Sequence, residues 1–185
     1  MGEETYHLVT LGCPKNQVDS DKLAGTLAAD GMASTDSPAE ADLIIVNSCA
    51  FIADARQESV DTVLALADLR RDGARLVVTG CMAERYGDEL AEALPEVDSV
   101  AGFGVPVVLG RRPDSPSDSE PSLPLFDLLN LPRPASTRPW AYVKIAEGCD
   151  RACGFCAIPT FRGPQRSRSI DSILEEVDAL EVREV

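Results

Sequence analysis

Histidine is almost missing: His7 is the single one among 185 residues, and it sits inside an apolar run. That count excludes His-rich zinc centres and leaves histidine-dependent triads without support, so His7 is expected to be an ordinary strand residue. Basic residues are scarce as well, 17 against 31 acidic ones, for a formal net charge of -14. Such a balance argues against coating nucleic acid or an anionic membrane through a general basic surface. No apolar run approaches membrane-spanning length, and Met1-Gly-Glu-Glu-Thr5 has neither the basic nor the apolar region of a signal peptide. The expectation is a soluble, cytoplasmic chain with no membrane partner. Hydrophobic (44%) and charged (26%) residues occur in ordinary globular proportions, which excludes wholesale disorder.

Two periods alternate through the first hundred residues. Tyr6–Leu11, Asp42–Asn47 and Arg75–Thr79 read as strands, with Val97–Ala101 as a short further one. Gln17–Asp30, Phe51–Arg71 and Ala83–Leu94 carry helical spacing, closed by Gly31, Asp72-Gly73 and Pro95. Strand–helix alternation with short connections predicts a three-layer α/β domain around a parallel sheet, flavodoxin-like, over 1–105. The texture then changes: eight of the thirteen prolines fall between Pro106 and Pro139. Residues 106–139 are expected to be an extended linker, with Leu123–Leu131 docking locally. Order resumes over 140–185, where Ala141–Ala146 reads as a strand, Glu147–Gly163 as a cysteine-bearing loop and Ser169–Leu180 as an acidic amphipathic helix. Val182 onward reads as the start of another strand, so the chain is expected to stop one βα unit into a second domain.

Six cysteines stand against the one histidine. Without an export signal they point to metal or redox chemistry rather than disulfides. Cys149, Cys153 and Cys156 form CxxxCxxC. Three thiolates this close on one loop can hold three irons of a cuboidal cluster and leave the fourth open for a substrate or cofactor. Structural zinc would want four ligands in a closed tetrahedron, which makes it the weaker alternative. Gly148 and Gly154 are expected to let the loop curl tightly. Cys13, Cys49 and Cys81 share no spacing, but each directly follows a strand and precedes a helix. Parallel strands would bring all three to one C-terminal sheet edge, where ligands bind in α/β folds. The competing reading is three small buried residues at strand ends. A shared second cluster, again with an open iron, is the expectation.

CxxxCxxC with Phe155 immediately before the third cysteine resembles the radical S-adenosylmethionine superfamily. That resemblance implies that Cys149, Cys153 and Cys156 hold a catalytic 4Fe-4S cluster whose free iron chelates S-adenosyl-L-methionine. With an external electron donor, reductive cleavage would give a radical that abstracts hydrogen from an unactivated carbon. Phe155 would shield the cluster or flank the cofactor. The order of motifs is similar to that of the methylthiotransferases, over roughly 6–105 and 141–185. On that resemblance Cys13, Cys49 and Cys81 hold an auxiliary 4Fe-4S cluster that carries the sulfur to be transferred.

Leu11-Gly-Cys-Pro-Lys-Asn-Gln-Val-Asp-Ser20, Val46-Asn-Ser-Cys-Ala-Phe-Ile52, Gly80-Cys-Met-Ala-Glu-Arg-Tyr86, Pro95-Glu-Val-Asp98 and Glu147-Gly-Cys-Asp150 resemble the branch acting on an aspartate of small-subunit ribosomal protein S-twelve. Ser48 and Ala50 depart from that branch, which more often has Thr and Gly. The tRNA-modifying branch, acting on isopentenyl-adenosine, is the alternative substrate. A non-catalytic iron–sulfur or metal-binding module is the alternative of another class. A radical S-adenosylmethionine barrel holds its cofactor from several later strands, so this chain by itself is expected to be catalytically incomplete. Residues 1–105 are expected to fold alone, and 141–185 to be poorly ordered in solution.

Lys144, Arg151, Arg162, Arg166 and Arg168 gather five of the 17 basic residues into 141–170, against Glu147 and Asp150. They form either a local positive face for an anionic partner or a solvated loop. Asp171, Glu175, Glu176 and Asp178 are expected on a solvated helix face. Gly102-Phe-Gly104 lacks the strand-to-helix context of a dinucleotide site and reads as a turn.

Overall fold

Strand β3 (Leu43–Ser48) is buried at every one of its six positions, as a continuous apolar run in the middle of a parallel sheet requires. This computed structural model describes residues 4–103, 128–131, 133–136 and 138–181. Around β3, the strands β1 (Thr5–Thr10), β2 (Ala33–Ser34), β4 (Arg75–Gly80) and β5 (Ser99–Ala101) pair in parallel, in the order β2-β1-β3-β4-β5. One face of the sheet, with Ile44, Val46, Leu76 and Val78, packs on α2 (Ala53–Leu69) and α3 (Cys81–Ala93) through Val63, Leu66, Met82 and Leu90. The other face, with Tyr6, Leu43, Ile45 and Val77, packs on α1 (Pro14–Ala29) through Leu23 and Leu27. Consecutive residues of β3 and β4 thus serve opposite faces, and the domain is a three-layer α/β unit with flavodoxin-like strand order.

Two helices begin earlier than the periodicity suggests. α1 starts at Pro14, where proline's missing N–H costs nothing, and α3 starts at Cys81. Both shifts bring a cysteine to a helix N-terminus. β2, too short and too small in side chain to show a pattern, was not expected.

α1 is packed on both sides. Leu23 and Leu27 face the sheet, while Asp19 and Lys22 meet residues from the second half of the chain. Leu128 and Leu131 pack on the apolar cluster beneath α1. Most of the expected linker, and the expected strand from Val182, lie outside the described residues. Beyond it come β6 (Ala146–Glu147), α4 (Ile158–Arg162), β7 (Arg166–Ser167) and α5 (Ile170–Leu180). The strand expected over Ala141–Ala146 is corrected: only Ala146–Glu147 pairs, antiparallel to β7. Side chains occupy the carbonyls instead, Arg133 donating to Tyr142 O and Arg168 to Lys144 O. Tyr142, Ile145, Ile170 and Leu174 in this region are exposed.

Lys22 is 0% exposed, which is unusual for lysine. Its Nζ donates to Leu129 O at 2.7 Å and lies 3.5 Å from the Glu176 carboxylate. Burial pulls its pKa from 10.5 down to about 8, against the upward pull of Glu176 and with Arg168 and Lys144 adding to the fall. The folded protein therefore releases this proton near pH 8, whereas the unfolded chain keeps it to about 10.5. Because the unfolded state binds more protons in that window, this group makes stability rise with pH there. Urea unfolding should show wild type gaining on Lys22→Met between pH 8 and 10.5. A pH-independent difference would mean that water reaches the ammonium.

Candidate metal centre

The parallel register levels the strand ends: Thr10 pairs with Asn47, and Ser48 with Gly80. Cys13, Cys49 and Cys81 follow these ends and share the C-terminal edge beside the β1/β3 switch point, where flavodoxin-like folds bind ligands. Cys13 is exposed, while Cys49 and Cys81 are buried. Gly12 stands at φ +90, and a Cβ there would lie 2.8 Å from both Cβ and Sγ of Cys49. Only glycine admits the Cys49 sulfur this close to the loop of Cys13. Burial pushes the Cys81 thiol up, Arg162 opposes this, and Cys49 and Cys13 add to the rise, so the three sulfurs lie within electrostatic reach.

Asn16 ties the three loops together. Its Nδ2 donates to Leu11 O at 2.9 Å and Ser48 O at 3.0 Å, while Oδ1 lies 3.6 Å from Cys81 Sγ. Both donor positions and one acceptor position of this buried amide are thereby committed to the sheet edge. Asn47, on β3, donates to Asn16 O and Ser20 Oγ and holds the start of α1 on the sheet.

The second set sits on the loop between β6 and α4. Cys149 and Cys156 are half-buried and Cys153 is exposed. Cys149, Cys153 and Cys156 bound, with Pro159 and Pro164, an open cavity of about 500 Å3, a size common among small-molecule sites. Cys149 N donates to Gly163 O, and Gln165 N to the Asp150 carboxylate, which closes the loop at its base. Gly148 is required there, whereas Gly154 has open space around it and carries none of the expected constraint. Phe155 is 92% exposed.

A buried cluster of charges joins the two sets. Lys144 donates to the Asp19 and Glu147 carboxylates, and Arg162 to the same two. Lys15 adds a 3.2 Å contact to Glu147. Burial alone would raise the Glu147 pKa, but Arg162, Lys144 and Lys15 together hold it down to about 2. Glu147 lies two residues before Cys149, and Lys15 two residues after Cys13. The positive face expected over 141–170 is therefore corrected: Lys144, Arg162 and Arg168 are buried and paired within the chain. Glu176 is corrected likewise, since it turns inward to Lys22, Arg133 and Arg168 while Asp171, Glu175 and Asp178 stay exposed. Sequence motifs include Asn16, Asp19 and Glu147, and the charge count includes Glu147 and Arg162, but neither points to their buried contacts with one another. For the residues on α1, the helical spacing of Asn16, Asp19 and Lys22 is the available signal.

Among the described residues no group of three His, Cys, Asp or Glu side chains is arranged to hold a single metal ion. The donor chemistry fits polynuclear iron–sulfur clusters instead, in which each thiolate addresses a separate iron. Both sets are thiols only, both leave a fourth position without a cysteine, and one is already bordered by a cationic N–H donor. Among the described residues, no helix is long and apolar enough to cross a membrane.

The chain is 45% identical over 183 residues to the ribosomal protein uS12 methylthiotransferase RimO of Myxococcus xanthus, covering 96% of this chain and 38% of that protein. The protein of the same name from Desulfosudis oleivorans is 47% identical over 186 residues, covering 94% and 42%. That of Geobacter sulfurreducens is 43% identical over 188 residues, covering 96% and 42%. The chain thus spans about two fifths of the length of these relatives. The family described as uncharacterized protein family UPF0004 matches residues 5–102, the whole α/β unit with Cys13, Cys49 and Cys81. Since that match covers more than half of the sequence, the chain belongs to the UPF0004 family.

Proposed function

We propose that this chain carries the two cysteine sets of a methylthiotransferase acting on an aspartate β-carbon of small-subunit ribosomal protein S-twelve. The observation that carries the proposal is the joining of the two thiol sets through Asn16, Glu147 and Arg162 across 146 residues of sequence. The names of the relatives supply the substrate class. Cys149, Cys153 and Cys156 would hold one 4Fe-4S cluster and Cys13, Cys49 and Cys81 the other, with S-adenosyl-L-methionine in the open cavity beside the former. Those groups, when bound, supply a carbon-centred radical and the sulfur and methyl to be transferred.

The chain's own residues do the placing. Asn16 fixes the three strand-end loops as one edge, so the sulfurs of Cys13, Cys49 and Cys81 stay mutually positioned. Glu147 takes charge-assisted contacts from Lys15, Lys144 and Arg162, so the backbone entering Cys149 is anchored on α1. Sulfur transfer between two centres needs this kind of fixed separation, because small misplacements are costly in group transfer.

Metal content tests the proposal. Protein reconstituted without oxygen should hold about eight irons and eight sulfides, as two cuboidal clusters require. Changing Cys13, Cys49 and Cys81 together to alanine should remove half, and changing Cys149, Cys153 and Cys156 the other half. Stoichiometric zinc in anaerobically purified protein would defeat both assignments. A methylthio mass gain on isopentenyl-adenosine tRNA, and none on ribosomal protein, would defeat the substrate.

A further inference from the structure

Arg162 belongs to neither cysteine set and to no spacing motif, yet it is 8% exposed and touches the surroundings of both. Its guanidinium divides its donors. Nη1 donates to Asp19 Oδ2 at 3.1 Å and Glu147 Oε2 at 2.8 Å, and Nη2 to Asn16 Oδ1 at 2.8 Å and Cys81 Sγ at 3.1 Å. The Phe103 ring closes the remaining face, its centroid 4.6 Å from Arg162 Cζ. Around it, among the described residues, Lys144 and Arg162 pair with two carboxylates, Asp19 and Glu147, and the part-exposed Lys15 reaches Glu147 from the rim. Lys144 and Arg162 already balance Asp19 and Glu147 in the buried part of the network, so pairing alone does not require a donor directed at a sulfur.

We infer that Arg162 is a positioning residue that, through one guanidinium, seats the Cys149–Cys156 loop against the strand ends and donates an N–H···S hydrogen bond to Cys81. Lysine cannot replace it, because an ammonium is a point charge without the planar fork that spans the two ends. Hydrogen bonds and positive charge at a ligating sulfur stabilise the reduced cluster, so the bond raises the reduction potential of the cluster Cys81 helps to hold. This second consequence rests on the cluster reading above; the seating of the loop does not.

Two measurements test it. In metal-free chain, amide hydrogen exchange over 148–167 should quicken about tenfold in Arg162→Met, with Arg162→Lys intermediate and the amides of β3 and β4 unchanged. Unchanged exchange over 148–167 in Arg162→Met would overturn the seating role. Should that variant fail to fold, Arg162→Lys decides alone, since it keeps the charge and loses only the fork. In anaerobically reconstituted chain lacking Cys149, Cys153 and Cys156, a redox titration followed by electron paramagnetic resonance should give a lower potential for Arg162→Met than for its parent. Arg162→Lys should restore part of the difference. An identical potential would overturn the N–H···S role. If that chain holds no cluster at all, the cluster reading fails and the N–H···S role with it, while hydrogen exchange still decides the seating.

Discussion

Replacing Asp19 with alanine is expected to cost about 3–5 kcal/mol, the penalty for stranding buried charges without their partner. Asp19 is 2% exposed and accepts from both Lys144 and Arg162. Without it, the buried Lys144 and Arg162 would share Glu147 alone, two cations to one anion, with the part-exposed Lys15 a third at the rim. Asp19→Asn keeps the shape and one acceptor oxygen, so it should lose less. Replacing Arg70, whose contact with Asp98 is partly exposed, by alanine should cost about 0.2–1 kcal/mol and serves as the contrast. Urea unfolding of the metal-free chain gives all three numbers. A loss below about 1 kcal/mol for Asp19→Ala would show that the network opens to water and behaves as a surface pair.

Sheet and thiol positions were legible in the sequence because each depends on a short-range signal. DLIIVN and RLVVT have the apolar runs of buried parallel strands, and the structure shifts their boundaries by no more than one residue. Cysteines immediately after such runs must share an edge if the strands are parallel, which they are. The CxxxCxxC loop is local in the same sense. What escaped was long-range. Asp19 and Arg162 are 143 residues apart, and nothing about an aspartate in a helix separates a buried ion pair from a solvated face. The polar stripe of α1 lowered its amphipathic contrast for a physical reason: the helix is covered on both sides, by apolar residues toward the sheet and by charges toward 144–176. The strand expected over Ala141–Ala146 shows the converse. Alternating residues mark a segment able to pair, but a ladder needs a neighbouring backbone, and here arginine side chains take the carbonyls.

Gly148→Ala is expected to empty one cysteine set and leave the other intact. Gly148 has φ +75, and a Cβ built there would stand 2.0 Å from Pro164 O and 2.6 Å from Gly163 O. Left-handed strain on alanine costs about 1–2 kcal/mol by itself. The collision adds to it, because both obstacles are backbone atoms that no side-chain rotation can move. Relief requires residues 148–149 to part from 163–164, which breaks the 3.0 Å hydrogen bond from Cys149 N to Gly163 O. It also displaces Glu147 and Arg162, the two neighbours through which the loop is held on α1. On the proposed pair of four-iron sites, iron in the reconstituted protein should fall by about half, with the loss confined to the cluster proposed for Cys149, Cys153 and Cys156. Gly154→Ala, in the same loop but with no atom within 4 Å of the added Cβ, should keep the full complement. Full iron in Gly148→Ala would show that the loop accommodates a side chain at this turn and that its closure does not depend on the contact with Gly163 and Pro164.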